Sequence, residues 1–579
     1  MSTYLSKGEG IKPNEMNETW KETPSNNLEE ERLQDALGIH PVLCRLLVQR
    51  GIRSYKEAHQ FFRPEFSKVH DPFQMQDMHV AVRRLHRAIQ HKEKILLYGD
   101  YDVDGVTSVA MLYSFLKEIG VSTDYYIPHR YKEGYGISFQ AIDFASEKDY
   151  QLIIAMDCGI RASEQVARAR SYGIDCIICD HHEPEKDLPP AVAVLNPKRM
   201  DCAYPFKELS GCGVTFKLIQ AYVQQQNLPQ KLFLNLLDLV AISIASDIVQ
   251  MTGENRTLAH FGLLKLKETK RIGLQMLIQK SNIQQPYTIS DIVFGLAPRL
   301  NAAGRLDDAR HAVNLLIAGT MKEAKELVSA LEYQNTLRKE FDRRLVEEAQ
   351  QMIEELDLEA THKSLVLFKE HWHKGVLGIA AAKLAKRYFR PSVVLSASNE
   401  LITGSARSVG NFDLYQALQM CEDLLVNFGG HRHAAGLSLR RTDLIPFTDR
   451  FEAAVQLLSA EEPFENTLYY TPIQLADITP SFWKILKQFA PFGPANRNPT
   501  FYCSGVVDTG FSRILKGEHL RLSIKQGQSD YFTGIGFGMG VYYETIKTKQ
   551  PFDICFSIQE NHWQGETHLQ LMVKGIRTF

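Results

Sequence analysis

Short apolar runs alternate with amphipathic stretches along the first half of the chain. The apolar runs are bounded by polar residues and predict buried strands at 95–98, 124–127, 152–156, 176–179 and 193–195. The stretches between them have the length and spacing of helices, at 106–119, 138–146 and 162–171. Strands that alternate with helices in this way predict an α/β fold with a doubly wound, mostly parallel sheet.

The pattern changes twice in the second half. A highly charged stretch at 322–355 predicts one long helix, which we interpret as a solvated helix between two domains. A smaller α/β domain follows, with strands at 364–368 and 392–395 on either side of a helix. From about Pro463 the periodicity predicts a small β-barrel of five short strands, at 501–507, 519–524, 531–537, 552–559 and 568–573.

These changes divide the chain of 579 residues into five segments. We expect a flexible N-terminal tail at 1–30, an α/β domain with small N-terminal helices at 31–270, a helical connector at 271–360, a smaller α/β domain at 361–460 and a barrel at 463–579. The longest apolar segment, 232–249, contains Asn235, Asp238 and Asp247. It therefore predicts a buried helix rather than a membrane span.

Three carboxylates follow the first strand of the predicted sheet. Asp100, Asp102 and Asp104 stand at alternate positions, which share one face if the chain is extended there. Gly105 would then permit a tight turn into the next helix. Like charges this close repel one another, so we expect a cation to neutralise them. A solvated acidic turn is the weaker alternative, because the aspartates lie between two buried elements.

Polar groups also follow the later strands. Asp157 follows 152–156, Asp180-His181-His182 follows 176–179, and Asp247 closes the apolar segment 239–246. The carboxyl ends of parallel strands lie side by side, so these groups can converge on the first cluster. Carboxylates with imidazole and without thiolate favour Mn²⁺ or Mg²⁺ over structural zinc. Two such ions can clamp an attacking hydroxide and a phosphoryl oxygen, although a single Asp at a strand end is more often a turn or helix cap.

The net charge and the cysteine content limit the possible ligands and the cellular location of the protein. The formal net charge of −2 gives no global nucleic-acid signature, so any nucleic-acid site must be a local basic patch. The nine cysteines show no disulfide framework. Cys176 and Cys179 would face opposite sides of a strand, which argues against a zinc or redox pair. We therefore expect reduced thiols and a cytoplasmic protein.

Several later stretches carry groups suited to phosphate. Gly211-x-Gly213 with Lys217 is a weak candidate, because the full phosphate-loop spacing is missing. The glycine-containing turn predicted at 298–306 carries Arg299, Asn301 and Arg305, which either reach a phosphate backbone or belong to a surface turn that caps the next helix. The strand ending at 403–408 offers hydroxyls and one cation, a natural phosphate-binding combination. The two histidines of 371–373 lack a carboxylate partner and predict a substrate-facing loop.

Four motifs in this order resemble the DHH phosphoesterase superfamily: YGDYDVDG at 98–105, MDCG at 156–159, DHH at 180–182 and SD at 246–247. Further segments resemble the RecJ family of bacterial single-stranded-DNA-specific exonucleases: PHRYKEGYG at 128–136, LAPRLNAAGRLDD at 296–308, HWHKGVLGI at 371–379 and FGGHRHAAG at 428–436. The resemblance runs from Leu33 to the C-terminus. Many small-substrate members of the superfamily have a histidine where this chain has Tyr98, and the added acid Asp100 favours the RecJ branch.

The resemblance implies roles for individual residues. It implies two ions of Mn²⁺ or Mg²⁺ with ligands at Asp102, Asp104, Asp157, His181 and Asp247. Asp157 would bridge the ions, and Asp100 would be a further ligand or a neighbouring acid. His182 would contact the scissile phosphate, and Asp180 would orient the histidines. The residues implied to bind substrate are Arg130, Arg299, Asn301, Arg305, Ser405, Arg407, Gly429, Gly430 and His431, with Ser405 and Arg407 at the 5′ end of the strand.

The same resemblance implies a DHH domain, a DHHA1 domain joined to it by a long helix, and an OB-fold barrel. In the barrel, Lys516, Arg521 and Lys525 are candidate cations and Phe511 and Tyr531 candidate base-stacking residues, unless these aromatics fill the barrel core. The implied function is 5′-to-3′ hydrolysis of single-stranded DNA in repair and recombination. Single-strand-binding protein and a RecQ-type helicase are implied partners of a monomeric enzyme. Two alternatives are a phosphodiesterase for short oligonucleotides or cyclic dinucleotides, and a non-catalytic single-strand-binding scaffold.

Overall fold

The computed structural model describes residues 18–398, 400–563 and 566–579. Contacts between residues divide the chain into two compact units. We call His59–Arg338 with Phe489–Arg497 the parallel-sheet unit. We call the described residues up to Ala58, with Lys339–Gln488 and Asn498–Phe579, the barrel unit.

The strands of the described chain are β1 Thr19–Glu22, β2 Ile95–Gly99, β3 Asp124–Tyr126, β4 Leu152–Met156, β5 Asp175–Cys179, β6 Ala193–Leu195, β7 Leu365–Phe368, β8 Ser392–Ser398, β9 Leu401–Arg407, β10 Asn427–His431, β11 Ala434–Arg440, β12 Thr467–Pro472, β13 Phe501–Asp508, β14 Arg513–Leu515, β15 His519–Lys525, β16 Phe532–Gly536, β17 Phe552–Trp563 and β18 Glu566–Arg577. The helices are α1 Asn27–Leu37, α2 Pro41–Val48, α3 Tyr55–Phe62, α4 Met78–Gln90, α5 Val103–Glu118, α6 Phe139–Glu147, α7 Ser163–Ser171, α8 Gly211–Gln225, α9 Lys231–Leu234, α10 Leu237–Ser246, α11 Gly253–Lys267, α12 Ile272–Ser281, α13 Ile289–Asp291, α14 Ala297–Leu306, α15 Arg310–Ile317, α16 Met321–Glu355, α17 Leu358–Thr361, α18 Leu377–Tyr388, α19 Leu414–Gln419, α20 Leu444–Glu461, α21 Pro480–Leu486 and α22 Tyr543–Ile546.

The parallel-sheet unit contains a five-stranded sheet in the order β3-β2-β4-β5-β6, with every neighbouring pair parallel. Successive side chains of a strand point to opposite faces. Leu97 and Ile154 accordingly belong to one buried apolar cluster, and Leu96 and Ile153 to another. The sheet is therefore covered on both faces, which explains its continuous apolar strands and confirms the predicted doubly wound α/β fold.

The apolar segment at 232–249 forms two short helices, α9 and α10, instead of one. Leu239 and Ile242 of α10 are completely buried. Among the helices of the described chain, none combines the length and the apolar composition that crossing a bilayer requires.

The barrel unit contains two sheets. A five-stranded sheet has the order β10-β11-β9-β8-β7 and packs against helices α18 and α20, which makes the smaller α/β domain. The other sheet closes into a barrel through β13, β17, β18, β16 and β15, because β13 pairs with both β17 and β15. All five predicted barrel strands are present, and the short β14 adds a hairpin to β15.

Part of the predicted flexible tail is ordered in the barrel unit. Residues 1–17 lie outside the described residues, but β1 pairs in parallel with β12 from Thr19 to Glu22. Helix α1 then begins after Asn26, whose side chain accepts the backbone N–H of Leu28 and Glu29. The prediction of a tail to residue 30 is wrong because Trp20 gives this polar segment an anchor, with the guanidinium of Arg577 4.5 Å from its ring.

The long charged stretch forms the single helix α16, as predicted, but one face of it is not solvated. Ala324, Val328 and Leu331 belong to the core of the parallel-sheet unit, and Leu345 and Ala349 to the core of the smaller α/β domain. The helix therefore buries an apolar stripe in each unit. The many charged residues of this helix are the reason why the sequence pattern did not predict the apolar stripe.

Candidate functional site

One cluster of polar side chains lies where three neighbouring parallel strands end. Asp100 follows β2, Asp157 follows β4, and Asp180 and His181 follow β5. Strand order therefore brings together residues that are up to about 80 positions apart in sequence. Asp247 joins them from the end of helix α10 rather than from a strand end.

The extended arrangement predicted for the first three aspartates is wrong. Asp102 precedes α5, and its Oδ1 accepts the backbone N–H of Asp104 at 2.9 Å and of Gly105 at 3.2 Å. Asp104 lies in the first turn of that helix. A helix start suits the sequence because Asp is a preferred N-cap residue. Gly105 serves close packing instead of a turn, since a Cβ there would lie 2.3 Å from the carbonyl oxygen of Asp100.

The carboxylate of Asp104 is held by the start of helix α8 and by one hydroxyl. The N–H of Gly211 donates to Oδ2 at 2.7 Å, and the N–H of Cys212 donates to Oδ1 at 2.8 Å. Ser243 Oγ donates to Oδ1 at 2.6 Å. Gly211, Cys212 and Ser243 are contributors that the sequence analysis did not find, because no local pattern links them to an aspartate 100 or more positions away.

Gly211-x-Gly213, which the sequence supports only weakly as a phosphate loop, does not form one. The start of α8 binds a carboxylate of the chain itself. Lys217 is completely buried, forms an ion pair with Glu254 and donates to the carbonyl oxygen of His70 at 2.8 Å. A lysine engaged in this way has no access to a phosphate from solvent.

His181 lies at the centre of the carboxylates. Its Nε2 is 3.2 Å from Asp157 Oδ1, 3.6 Å from Asp247 Oδ2 and 3.8 Å from Asp104 Oδ2. Asp157 has a φ of +60°, in the left-handed region that costs a non-glycine residue free energy and often marks a functional position. Three groups could each hold an ion, with ligand atoms within 4.8 Å of one another: Asp157, His181 and His182; Asp104, His181 and Asp247; Asp100, Asp102 and Asp157.

The electrostatics of this cluster fit a divalent cation. Burial, and then the charge of Asp102, raises the pKa of Asp100 well above its usual range. Burial, and then the charges of Asp104 and Asp102, does the same to the pKa of Asp157. Within the described part of the chain, Asp100 Oδ1 is buried without a hydrogen-bond partner. The protein therefore leaves negative charge uncompensated at a site of oxygen and imidazole ligands, a donor set that suits Mn²⁺ or Mg²⁺.

Asp180 holds the histidine pair. Its carboxylate accepts the N–H of Ile160 at 2.9 Å and of His181 at 2.7 Å, and it lies 2.7 Å from His182 Nδ1. Burial alone would raise the pKa of Asp180, but the hydrogen bond and charge of His182 outweigh it and hold that pKa below its usual range. Burial alone would lower the pKa of His182, but the hydrogen bond and charge of Asp180, with the charges of Asp102 and Asp104, together outweigh it and raise that pKa. The arrangement orients a readily protonated imidazole.

A second cluster lies on the mixed sheet of the barrel unit. Ser405 and Arg407 point to the same face of β9, and Arg407 Nη1 donates to Ser405 Oγ at 2.9 Å. Strand register places Gly436 opposite Ser405 and Gly429 opposite Gly436. It also places Ala434 between Arg407 and His431, and Gly430 is the neighbour of Gly429 on β10. The structure thus brings all five predicted residues of this domain into one patch.

Arg407 carries an uncompensated charge. Within the described part of the chain no carboxylate forms an ion pair with it, and burial lowers its pKa. A Cβ on Gly378, at the start of α18, would lie 2.9 Å from Arg407 Nη2 and 3.0 Å from Ser405 Oγ. The helix start therefore packs directly against both groups. Together these features make a site for an anion.

The remaining residues predicted to bind substrate, Arg130, Arg299, Asn301 and Arg305, differ in their surroundings. Arg130 lies with its guanidinium 4.1 Å from the Tyr101 ring, and its buried Nε has no hydrogen-bond partner. The turn predicted at 298–306 is wrong, because these residues form helix α14, which continues without a break from a π-helical turn at Ile292–Leu296. Arg299 on that helix donates to Glu332 at 2.6 Å. Asn301 and Arg305 lie on the same helix.

The loop predicted to face substrate at 371–373 contacts helix α16 instead. His371 Nε2 is 3.0 Å and Trp372 Nε1 2.9 Å from a carboxylate oxygen of Glu348. The ring of His373 stacks on Phe341, with centroids 5.1 Å apart and planes 4° apart. Both partners belong to α16. This motif therefore fastens the second half of that helix to the smaller α/β domain.

One face of the barrel exposes aromatic rings beside cations. Phe511 and Tyr531 are 78% and 71% exposed, so neither fills the barrel core. They line a shallow pocket of about 490 Å³ with Arg521 and with Arg513, its cross-strand neighbour. Lys516 and Lys525, the other predicted cations, do not line it.

Comparison with known proteins first defines the class. Residues 94–244 match the DHH family N-terminal domain, 361–461 the DHHA1 domain and 471–575 the RecJ OB domain. The carboxylate cluster, apart from Asp247, thus lies within the matched DHH domain.

Individual relatives then define the family. The chain is 36% identical over 553 residues to the single-stranded-DNA-specific exonuclease RecJ of Bacillus subtilis (strain 168), an alignment that covers 94% of this chain and 68% of that protein. The RecJ of Salmonella typhimurium is 31% identical over 558 residues, with 93% and 96% covered. A crystal structure of RecJ in complex with Mn²⁺ from Thermus thermophilus superimposes with a TM-score of 0.83 at 25% identity, over 97% of this chain and 79% of that one. The chain belongs to the RecJ family.

Proposed function

We propose that this protein is a metal-dependent exonuclease that removes nucleotides from the 5′ end of single-stranded DNA. The observation that carries the proposal is the convergence of carboxylates from three separate segments on His181, in a chain of the RecJ family. Membership of that family speaks against the two alternatives, a small-substrate phosphodiesterase and a non-catalytic scaffold.

The proposed ligands of two Mn²⁺ or Mg²⁺ ions are Asp100, Asp102, Asp104, Asp157, His181 and Asp247. Asp157 belongs to two of the three ligand groups, which supports it as the shared ligand. When bound, such ions would stabilise charge on the phosphoryl oxygens and favour deprotonation of the attacking water.

The proposed role of Asp180 and His182 follows from their hydrogen bond. Asp180 fixes the imidazole through Nδ1, and Nε2, which lies 3.2 Å from the Tyr135 hydroxyl, is the atom proposed to contact the scissile phosphate. The raised pKa of His182 favours a proton on that ring and hence attraction to a phosphate oxygen.

The cluster around Arg407 is the proposed site for the 5′ end. Ser405 and Arg407 would bind the terminal phosphate. Arg130, in the parallel-sheet unit, is a further residue proposed to bind substrate. Gly429 and Gly430 would let the strand approach the backbone beside His431. A Cβ on Gly429 would have no atom within 4 Å, which supports an open approach. Asn301 and Arg305 remain candidates for the phosphate backbone, whereas the ion pair of Arg299 favours a role in fixing α14.

The barrel is the proposed platform for the remaining strand. Phe511 and Tyr531 would stack on bases while Arg513 and Arg521 contact phosphates. This activity suits DNA repair and recombination, with single-strand-binding protein and a RecQ-type helicase as the proposed partners. We also propose a monomer, as the resemblance to the RecJ family implies. A cytoplasmic location is supported by nine cysteines that are all free.

The test uses the full chain with Mn²⁺ and single-stranded DNA labelled at the 5′ or the 3′ end. We expect the 5′ label to be released first as mononucleotide. The Asp157→Asn variant should be inactive, and Asp187→Asn, at an exposed aspartate, should behave as the wild type. Earlier release of the 3′ label, or activity in Asp157→Asn, would contradict the proposal. Cleavage restricted to di- to tetranucleotides would favour the small-substrate alternative.

A further inference from the structure

A chain of buried hydroxyl groups leads from the start of helix α8 to Asp104. Ser243 Oγ lies 2.6 Å from Asp104 Oδ1, and Ser210 Oγ lies 2.6 Å from Ser243 Oγ. The N–H of Gly213 donates to Ser210 Oγ at 3.1 Å. Ser210 and Ser243 are both 0% exposed and Asp104 is 1% exposed. Solvent water therefore has no access to replace any of these contacts.

The direction of each hydrogen bond in this chain can be assigned. A carboxylate only accepts, so Ser243 must donate its single proton to Asp104. Ser243 can then only accept from Ser210, and Ser210 uses its oxygen to accept from Gly213. Hydrogen bonds that run in one direction polarise one another, so the three form one cooperative relay that ends on Asp104.

The relay also limits how Asp104 can bind a cation. A carboxylate offers about four acceptor positions, two on each oxygen. The hydroxyl of Ser243 and the N–H of Cys212 occupy both positions on Oδ1, and the N–H of Gly211 occupies one on Oδ2. One position on Oδ2 remains. That oxygen is the one 3.8 Å from His181 Nε2.

We infer that Ser243 and Ser210 are positioning residues for the metal site, and that they hold Asp104 so that only Oδ2 is available to a cation. The inference rests on the proposed function, in which Asp104 is a ligand. Neither serine is a proposed ligand, and Ser210 contacts Ser243 as well as capping the start of α8 through Gly213. A carboxylate already fixed by three donors does not have to be ordered when the cation binds. Outer partners of metal ligands typically change metal affinity by about 10- to 100-fold.

The test measures Mn²⁺ binding by the metal-free full chain, with free Mn²⁺ followed by electron paramagnetic resonance. Ser243→Ala should weaken binding at one site by about 10- to 100-fold. Ser210→Ala should weaken it less, by roughly 3- to 10-fold, because Ser243 keeps its bond to Asp104. The double variant should bind Mn²⁺ about as Ser243→Ala does, because Ser210 without Ser243 retains only its N-cap bond from Gly213. A hundredfold excess of Mn²⁺ should restore nuclease activity to Ser243→Ala but not to Asp104→Asn.

Thr215→Val is the matched control. It removes another buried hydroxyl of α8, one that donates to the carbonyl oxygen of Gly211 at 3.0 Å, and keeps the side-chain shape. It should bind Mn²⁺ as the wild type does. Folding is checked by thermal melting in EDTA, and Ser243→Cys, which keeps the volume with a weaker donor, replaces Ser243→Ala if the latter unfolds.

Two results would overturn the inference: unchanged Mn²⁺ affinity in a folded Ser243 variant, or losses from the two serines that multiply in the double variant. A wild-type chain that binds no Mn²⁺ would instead contradict the proposed function itself. The two failures are therefore distinguishable.

Discussion

The carboxylate cluster of the parallel-sheet unit and the Arg407 cluster of the barrel unit carry opposite charges and are built by different means. In the first, residues from strand ends and helix ends meet, and backbone N–H groups and a serine fix them. In the second, register across three neighbouring strands sets every position. Asp100, Asp104, Asp157, Asp180 and His181 of the first cluster are buried, whereas Gly429, Gly430 and His431 of the second are exposed.

The two clusters share one property, a charge that the described protein does not neutralise. Asp100 Oδ1 has no hydrogen-bond partner, and Arg407 has no carboxylate partner within the part of the chain described. Each cluster is therefore incomplete without a ligand of opposite sign. Because the two clusters differ in burial, we expect the carboxylate cluster to determine the rate of the chemical step and the Arg407 cluster to determine the affinity for DNA.

The largest effect should come from Asp157→Asn. Asn tolerates the left-handed backbone at this position, so the change removes charge with little strain. We expect kcat to fall by about 1,000-fold, or about 4 kcal/mol of barrier, with DNA affinity changed less than about threefold. Steady-state kinetics with Mn²⁺ and fluorescence anisotropy with labelled DNA measure the two quantities. An equal loss of kcat and DNA affinity would contradict the assignment of chemistry to the carboxylate cluster and of DNA binding to the Arg407 cluster.

The next effect should come from Arg407→Ala. We expect KM for 5′-phosphorylated single-stranded DNA to rise by roughly 100-fold, with kcat changed much less, because a charge-assisted contact to phosphate is lost. Arg407→Lys should recover only part of the affinity, since lysine cannot make a bidentate contact. If Arg407→Ala raises KM equally for 5′-hydroxyl and 5′-phosphate DNA, the Arg407 cluster does not bind the terminal phosphate.

A smaller effect is expected from Gly378→Ala. The added Cβ would meet Arg407 Nη2 at 2.9 Å and displace the guanidinium, so KM should rise by roughly 3- to 10-fold. Gly319→Ala is the matched control, because a Cβ there has no atom within 4 Å. Parallel kinetics of the two variants check the prediction. Similar KM values would show that helix α18 does not shape the anion site.

The smallest effect concerns Glu452, a buried carboxylate whose charge is satisfied. It accepts the N–H of Lys363 at 2.8 Å, and the N–H of Ser364 at 2.9 Å and its hydroxyl at 2.5 Å. Burial alone would raise the pKa of Glu452, but these hydrogen bonds lower it. A lowered folded pKa stabilises the protein above the unfolded value of 4.5, and this stability is lost as pH falls through the folded pKa.

Glu452→Gln should therefore lower the free energy of unfolding by about 1 kcal/mol at pH 7 and by less below pH 4. Urea unfolding at both pH values measures it. Equal destabilisation at the two pH values would contradict the prediction. It would show that hydrogen-bond donors are not the reason why the pKa of Glu452 is lowered while that of Asp157 is raised.

Sequence reasoning found the strand-end groups because a general rule of parallel sheets brings Asp100, Asp157 and His181 together. It failed where local helix starts override the pattern. Asp102 begins a helix, and its preference for the N-cap position was a signal available in the sequence. Pro298 gave no such signal, because it lies inside a helical segment that is continuous from Ile289 to Leu306. Gly211 and Ser243 could not be found, because their relation to Asp104 exists only after the helices pack.

Strand β1 bears on how the protein tolerates shortening. It lies at the outer margin of the eight-stranded sheet, where it hydrogen-bonds to β12 and covers that strand's polar backbone. A chain cut back to the first helix would uncover β12 and remove the indole that packs against Gly575 and Arg577. Uncovered strand edges recruit other chains, so such a shortened protein should aggregate even though every residue proposed for catalysis is intact.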